Sequence, residues 1–368
     1  MPRRSFFIGL MAAIVIIATF TVILRTRSTR PGVEESPPAA PTSPSTSSPS
    51  ITPGVPLDET SCERPYPDTS IWNVPLDWSI AKIHPMNDLM MRAFFESRDW
   101  IGADTSQYTP NMYWVANDTP LVRVQLLENR FRDAMNDKLL QYGQPAGVVW
   151  MPLPVEARPA EGTDGQLVVI NVDTGEEWGL NKGYVDGNGN WFAGGVYRYH
   201  IQNSGIPPEG FGQRGAGIGQ LAGIVRRCEV ERGWIGHAVT LAYDYPCEQE
   251  VCQQNGWSAS IPPFRKTDGR GRSQYDIPEG ARLAIRPEIS RAEIVDACSA
   301  ILGCVIWALN MQEYGGFIVD NSDHPKTYAE GNITADWNAS LWNRDMLREI
   351  PSDWYVVIDW DSPSREVQ

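Results

Sequence analysis

Residues Ser5–Leu24 read SFFIGLMAAIVIIATFTVIL, twenty positions without a charge. A run of that length is enough to cross a bilayer as a single helix. Whatever folds after it must be reached through it, so no other feature limits the chain as much. Arginines flank the run on both sides (Arg3 and Arg4 before it, Arg25, Arg27 and Arg30 after it), and the charge bias therefore does not choose an orientation. A cleaved signal peptide is the competing reading. The apolar run is longer than a usual signal core, and the RTRSTR that follows holds no small-x-small cleavage site. Residues 1–26 are accordingly expected to be an uncleaved transmembrane signal anchor. In residues 27–60 Pro, Ser and Thr dominate and apolar content almost vanishes, which reads as a disordered stalk. Residues 61–368 are then an extracytoplasmic globular domain of a single-pass membrane protein.

The cysteines agree with export. There are six, an even number, and no CxxC pair, which points to disulfides rather than a zinc or redox motif. Cys247 with Cys252 and Cys298 with Cys304 are close enough to pair locally, leaving Cys62 with Cys228 to tie the start of the domain to its middle. Fifteen pairings exist in principle. The net charge is −14, and the five N-terminal arginines are part of it. Without them 26 basic side chains face 45 acidic ones, a balance of −19. An outer domain this acidic is a poor nucleic-acid binder.

Hydrophobic periodicity gives the elements. Helical spacing predicts a helix over Asn87–Trp100 with Leu89, Ala93 and Phe94 on one face, a second over residues 129–143 stopped by Gly143, and a third, ambiguous, over residues 219–233 stopped by Gly233. The longest apolar helical stretch runs over residues 290–316, capped by Ser290, and a short helix is expected around Ala339–Arg348. Alternating or short apolar β-branched runs predict strands in PLVRVQL, GVVWMPL, QLVVINV, WFAGGVYRYHIQ, IGHAVTLAY, GARLAIRP, FIVDNS and WYVVIDW. Strands crowd between residues 147 and 285 and do not alternate regularly with helices, so a doubly wound sheet is not expected. The expected fold is a β-rich α+β domain, a β-sandwich or jelly-roll-like core with flanking helices.

Candidate chemistry follows from the four histidines and the acids near strand ends. In IGHAVTLAY, Ile235, His237, Val239, Leu241 and Tyr243 share a bulky face, whereas Gly236, Ala238, Thr240 and Ala242 form a small one. His237 is thus either a constrained core histidine or a base oriented by Glu229 from the preceding turn. In VYRYHIQ, Arg198, His200 and Gln202 share one face; a sugar cleft could use the arginine for a uronate and the histidine as base, and a solvated sheet face is the plainer reading. Asp320, in FIVDNSDH, is a candidate acid or base, or the cap of an Asx turn. Trp191 and Trp234 are candidate sugar platforms, or ordinary packing aromatics. DGNGN at Asp186–Asn190 resembles half a calcium loop but lacks the closing glutamate, so a hairpin turn is expected. The glycines of QRGAGIGQLAG lack the acidic partner and βαβ context of a dinucleotide site and read as a tight loop near a cleft. No metal ligand set and no cofactor motif is found.

The order of SIWN (Ser70–Asn73), AGIVRRCEVERGWIGHAV, GARLAI and ALNMQEYGGFIVDNS resembles an uncharacterised exported bacterial protein family with an SIWN start, a G-x-I-x-H-A core and a late A-L-x-x-Y-G-x-x-V-x-D segment. The resemblance covers about residues 70–322 and implies an exported domain acting on cell-surface or environmental polysaccharide, without assigning a catalytic residue. The resulting expectation is a carbohydrate-active enzyme, a polysaccharide lyase or glycosidase, that uses His237, His200, Asp320 and Glu229, with Arg198, Gln202, Trp191 and Trp234 holding the substrate. The alternative is a non-catalytic surface module binding glycan or protein. Expected partners are a polysaccharide or surface glycan and the membrane.

Overall fold

A computed structural model describes residues 62–140 and 147–361. The expected anchor and stalk, and the Gly143 helix stop, lie outside these residues. Among the described residues no helix is long and apolar enough to cross a membrane. In chain order the elements are α1 (Asn87–Phe94), β1 (Asn111–Val115), β2 (Leu121–Asp133), β3 (Lys138–Leu140), β4 (Val148–Pro152), β5 (Leu167–Asn171), β6 (Glu176–Asn181), β7 (Tyr184–Val185) and β8 (Trp191–His200). They continue with α2 (Arg227–Arg232), β9 (Val239–Tyr243), α3 (Gln249–Gln254), β10 (Arg282–Ile285), α4 (Arg291–Ala297), α5 (Leu302–Glu313), β11 (Gly316–Asn321), β12 (Lys326–Thr327), α6 (Asn332–Ala335) and β13 (Tyr355–Val357). The fold is β-rich α+β, as expected.

The strands form two sheets. The first has the order β1-β5-β6-β8-β2-β3, with β4 added on β2 and β7 on β8; the second has the order β12-β9-β11-β10-β13. Three pairs are parallel, β1 with β5, β2 with β8 and β9 with β11, whereas a jelly roll pairs its strands antiparallel. The sheets share a buried layer made by Val168, Ile170, Tyr197 and Tyr199 of the first and Ala242, Phe317 and Val319 of the second, with Ala238 just before β9. The far face of the first sheet buries Val124, Leu126, Met151, Val169 and Leu180. The far face of the second packs Val239, Leu241, Tyr243, Leu283 and Ile318 on helix residues Met90, Phe94, Ile294, Trp307 and Met311.

The alternation in β9 explains this layering. Its bulky face meets the helices, and its small face lets the first sheet and Gly223 approach closely; a Cβ on Gly223 would collide with Thr240. The SIWN segment plugs the shared layer. Trp72 is wedged edge-on between Phe264 and Phe317, and Asn73 Nδ2 donates to the carbonyls of Pro65, Tyr66 and Pro67. One acid is buried in that layer: Glu177 accepts from the Leu221 N–H at 2.9 Å and the Tyr66 hydroxyl at 2.8 Å, and burial pushes it up to about 7.

Three helical expectations are corrected. Residues 129–133 continue β2 and residues 138–140 form β3, because β2 pairs along β8 and β4 and a turn held by Asp133 Oδ1, which accepts from the Met135 and Asn136 N–H groups, reverses the chain. The long helix over 290–316 is two helices, broken where Ser299 and Ala300 take left-handed φ of 47° and 59°. Residues 339–348 form successive turns rather than a helix. The third expected helix shortens to α2 and ends as expected at Gly233, whose φ is 88°. All three disulfides pair as expected: Cys62–Cys228, Cys247–Cys252 and Cys298–Cys304.

Candidate functional site

The expected site residues occupy three separate places. His237 lies just before β9, fully buried, with Nε2 3.1 Å from Glu229 Oε1 and Nδ1 3.0 Å from the Ala238 carbonyl. Both ring nitrogens face oxygen acceptors, so both are consumed. Glu229 also accepts from Arg226 Nη2 at 2.7 Å and from the Arg226 N–H at 2.8 Å. Burial alone would raise this carboxyl; the Arg226 and His237 charges outweigh it and hold Glu229 down to about 2. Arg226, Glu229 and His237 therefore form a closed buried hydrogen-bond network, which leaves His237 no nitrogen for a substrate.

His200 and Arg198 lie at the end of β8, on the sheet face opposite the shared layer. Arg198 is tied to Glu176 and Asp133 and stacks 4.9 Å over Trp178. His200 Nδ1 accepts from the Gln202 N–H at 3.1 Å, which closes a turn. Trp191 is buried in the core of that same face, whereas Trp234 is exposed beyond α2. These residues do not share a cleft with His237 or Asp320. Asp186 accepts from the Asn188 and Asn190 N–H groups and closes the β7–β8 hairpin turn.

Asp320 gathers the groups that can do chemistry. The pairing of β11 with β9 slips between Ile318 and Asp320, a bulge that breaks the alternation. Without it Asp320 would share the helix-facing side of Ile318. Instead it meets the glycine-rich loop 212–219, whose Ala216 N–H donates to the Val319 carbonyl at 2.9 Å. The loop is pinched by paired backbone bonds between Gln213 and Ile218 of 2.7 and 2.8 Å. At its tip Arg214 sits at a left-handed φ of 54°, a strained setting for a side-chain-bearing residue and one that recurs at functional sites. Its buried guanidinium lies 3.9 Å over Tyr328, donates to Gln166 at 3.2 Å and reaches Asp320 Oδ2 at 3.4 Å. The next N–H, of Gly215, points at Asp320 Oδ1 at 3.3 Å.

Gly215 is also where two further carboxylates converge: a Cβ there would collide with both Glu279 Oε1 and Asp268 Oδ1. Glu279 is fully buried, its Oε2 accepts from the Asp268 N–H at 3.2 Å, and its Oε1 has no hydrogen-bond partner among the described residues. Burial first, then the Asp268 charge, holds Glu279 well above the usual carboxylate range. Burial also pushes Asp320 up, with Asp268 and Asp164 adding to it against the pull of Arg214 and Lys266, to about 6. Lys266 donates to the Arg214 carbonyl at 2.6 Å, and desolvation together with Arg132 lowers its ammonium. Asp268 is exposed and the Asp320 side chain is 18 % exposed, so both can meet a ligand. Among the described residues no group of three or more His, Cys, Asp or Glu is arranged to hold a metal ion.

Of this site, sequence reasoning reached only Asp320 and the glycine loop. Asp164, Arg214, Lys266, Asp268 and Glu279 come from separate segments, and the sole available signal was that loop, with four glycines inside eight residues. No family model matches the chain, and no curated protein or solved structure was found to be similar to it.

Proposed function

We propose that the chain is an extracytoplasmic hydrolase of glycosidic bonds, with Asp320 as the general acid and Asp268 as the second carboxylate. The observation that carries this reading is the pair of solvent-reachable carboxylates against Gly215 in unlike environments. One is raised to about 6 by burial and neighbouring acids; the other faces solvent. Glycoside hydrolysis needs that division of labour, an acid for the leaving oxygen and a carboxylate for the sugar or the attacking water. Glu279 positions Asp268 by accepting from its backbone N–H, and the Gly215 N–H and Arg214 position Asp320.

A lyase is less well supported. It would need a cation to neutralise a uronate; Arg198 is already committed to Glu176 and Asp133, Arg214 to Asp320 and Gln166, and Lys266 to the Arg214 carbonyl. The three disulfides fit an oxidising compartment outside the membrane. The two stacked sheets are read as a sandwich scaffold that presents the loop and β11 at one end.

The test is reducing-end release by the full chain from a panel of neutral polysaccharides, with absorbance of unsaturated products followed in parallel. Hydrolysis without unsaturated product is expected, with Asp320→Asn slowing it about 100-fold or more and the rate falling as pH rises through about 6. Absence of release from every polymer, or an Asp320→Asn variant as active as the parent, would overturn the reading.

A further inference from the structure

At the opposite end of β11 from Asp320, two tryptophans wall a cleft that the carboxylate site does not use. It measures about 390 Å3 and is lined by Trp78, Trp234, Arg291, Asn310, Gln312 and Glu313, among others. That volume lies within the roughly 300–1,000 Å3 of small-molecule sites. Trp234 packs edge-on against Tyr314, two residues before β11 begins at Gly316. Asp320 is four strand steps further on, roughly 13 Å at strand rise.

The cleft is built rather than incidental. Trp234 is 43 % exposed, yet it is fixed. Its Nε1 donates to Glu313 Oε2 at 3.4 Å, Tyr314 meets it at 6.3 Å between centroids, and Arg232 lies 5.3 Å over the ring. Gly236 leaves room for the indole that any Cβ would take. Trp78 is fixed as well, its Nε1 donating to the Gln312 carbonyl at 2.8 Å. A rigid indole left this open forgoes the burial that ordinarily holds a tryptophan in a fold. Asn310, in the lining, is held as well: it is 3 % exposed and its Nδ2 donates to the His237 carbonyl at 2.9 Å.

We propose that this cleft binds a neutral sugar residue of a polysaccharide chain, apart from the carboxylates. A pyranose has an apolar C–H face for an indole and hydroxyls that donate to Glu313 and accept from Arg291. The lining carries one cation, Arg291, and one anion, Glu313, which favours a neutral ligand over a uronate. The inference stands on the cleft alone and would survive if the chain cleaved nothing.

The experiment uses the full chain with labelled indole nitrogens, in a detergent without a sugar headgroup, titrated with cellohexaose, xylohexaose and mannohexaose. The Trp78 and Trp234 indole N–H signals should shift with at least one of these, and Trp234→Ala should weaken that binding about tenfold or more, whereas Asp320→Asn should bind like the parent. If none of the three moves either indole, or if Trp234→Ala binds as tightly as the parent, the proposal fails. It also fails if Asp320→Asn alone abolishes binding, which would place the sugar at the carboxylates and leave the hydrolase reading intact. Should Trp234→Ala not fold, the indole shifts of the parent decide.

Discussion

Two carboxylates show how environment, not residue type, assigns a role. Glu229 is held ionised by Arg226 and His237 in a network with no opening to solvent, while burial raises Asp320 to about 6 beside a strained loop with part of its surface open. The first is therefore a structural counter-ion. Glu229→Gln leaves the buried Arg226 guanidinium uncompensated and should cost about 3–5 kcal/mol of stability, read by chemical denaturation; unchanged stability would return His237 to the list of free bases. The face of His237 was legible from alternation, since Ile235, Val239, Leu241 and Tyr243 do bury together. That both its nitrogens were spent was not legible, because the Ala238 carbonyl and the Glu229 carboxylate close on it only in three dimensions.

Among the elements, α4 and α5 mark the boundary between local and tertiary information. Ser290 and Glu293 form a reciprocal cap that their spacing announces, with the serine accepting from the Glu293 N–H and the glutamate accepting from the Ser290 N–H at 2.8 Å. Ser290→Ala should cost about 1 kcal/mol, measurable as a lower urea midpoint with unchanged slope. The break after α4 was hidden because apolar residues keep helical spacing straight through it; only the backbone at Ser299 and Ala300, closed over by Cys298–Cys304, shows the interruption. The β2–β3 hairpin was hidden for the converse reason. Arg130, Phe131 and Arg132 fit a helical face as readily as a strand, and pairing with β8 decided between them. The carboxylate site suffers most from this division, since its residues meet only after loop 212–219, β11 and the segments carrying Asp268 and Glu279 are in place.

Across the whole molecule the buried acids set a pH preference. Asp320 and Asp276 are raised to about 6 and Glu177 to about 7, in each case chiefly by burial, and Glu279 is raised as well. Their folded-state values exceed the unfolded ones of 3.8 and 4.5, so their contribution is complete below those values and is lost as pH rises through 6 to 7. Glu229 runs the other way. Its contribution is present above 4.5 and disappears as pH falls toward 2. Thermal unfolding should accordingly show the highest midpoint at about pH 4–5 and a lower one by about pH 7–8; a midpoint that keeps rising to neutrality would contradict this account of the buried acids.

The Cys62–Cys228 bond also gives the molecule a route for mechanical load. Tension applied to the chain ahead of Cys62 does not peel away the SIWN segment and the strands of the first sheet in turn. It passes across the sulfur bridge, which closes a span of 166 residues, and arrives at α2 beside the buried Arg226–Glu229–His237 network. Everything between the two cysteines, roughly 600 Å of chain if it were drawn straight, is thereby taken out of the line of pull.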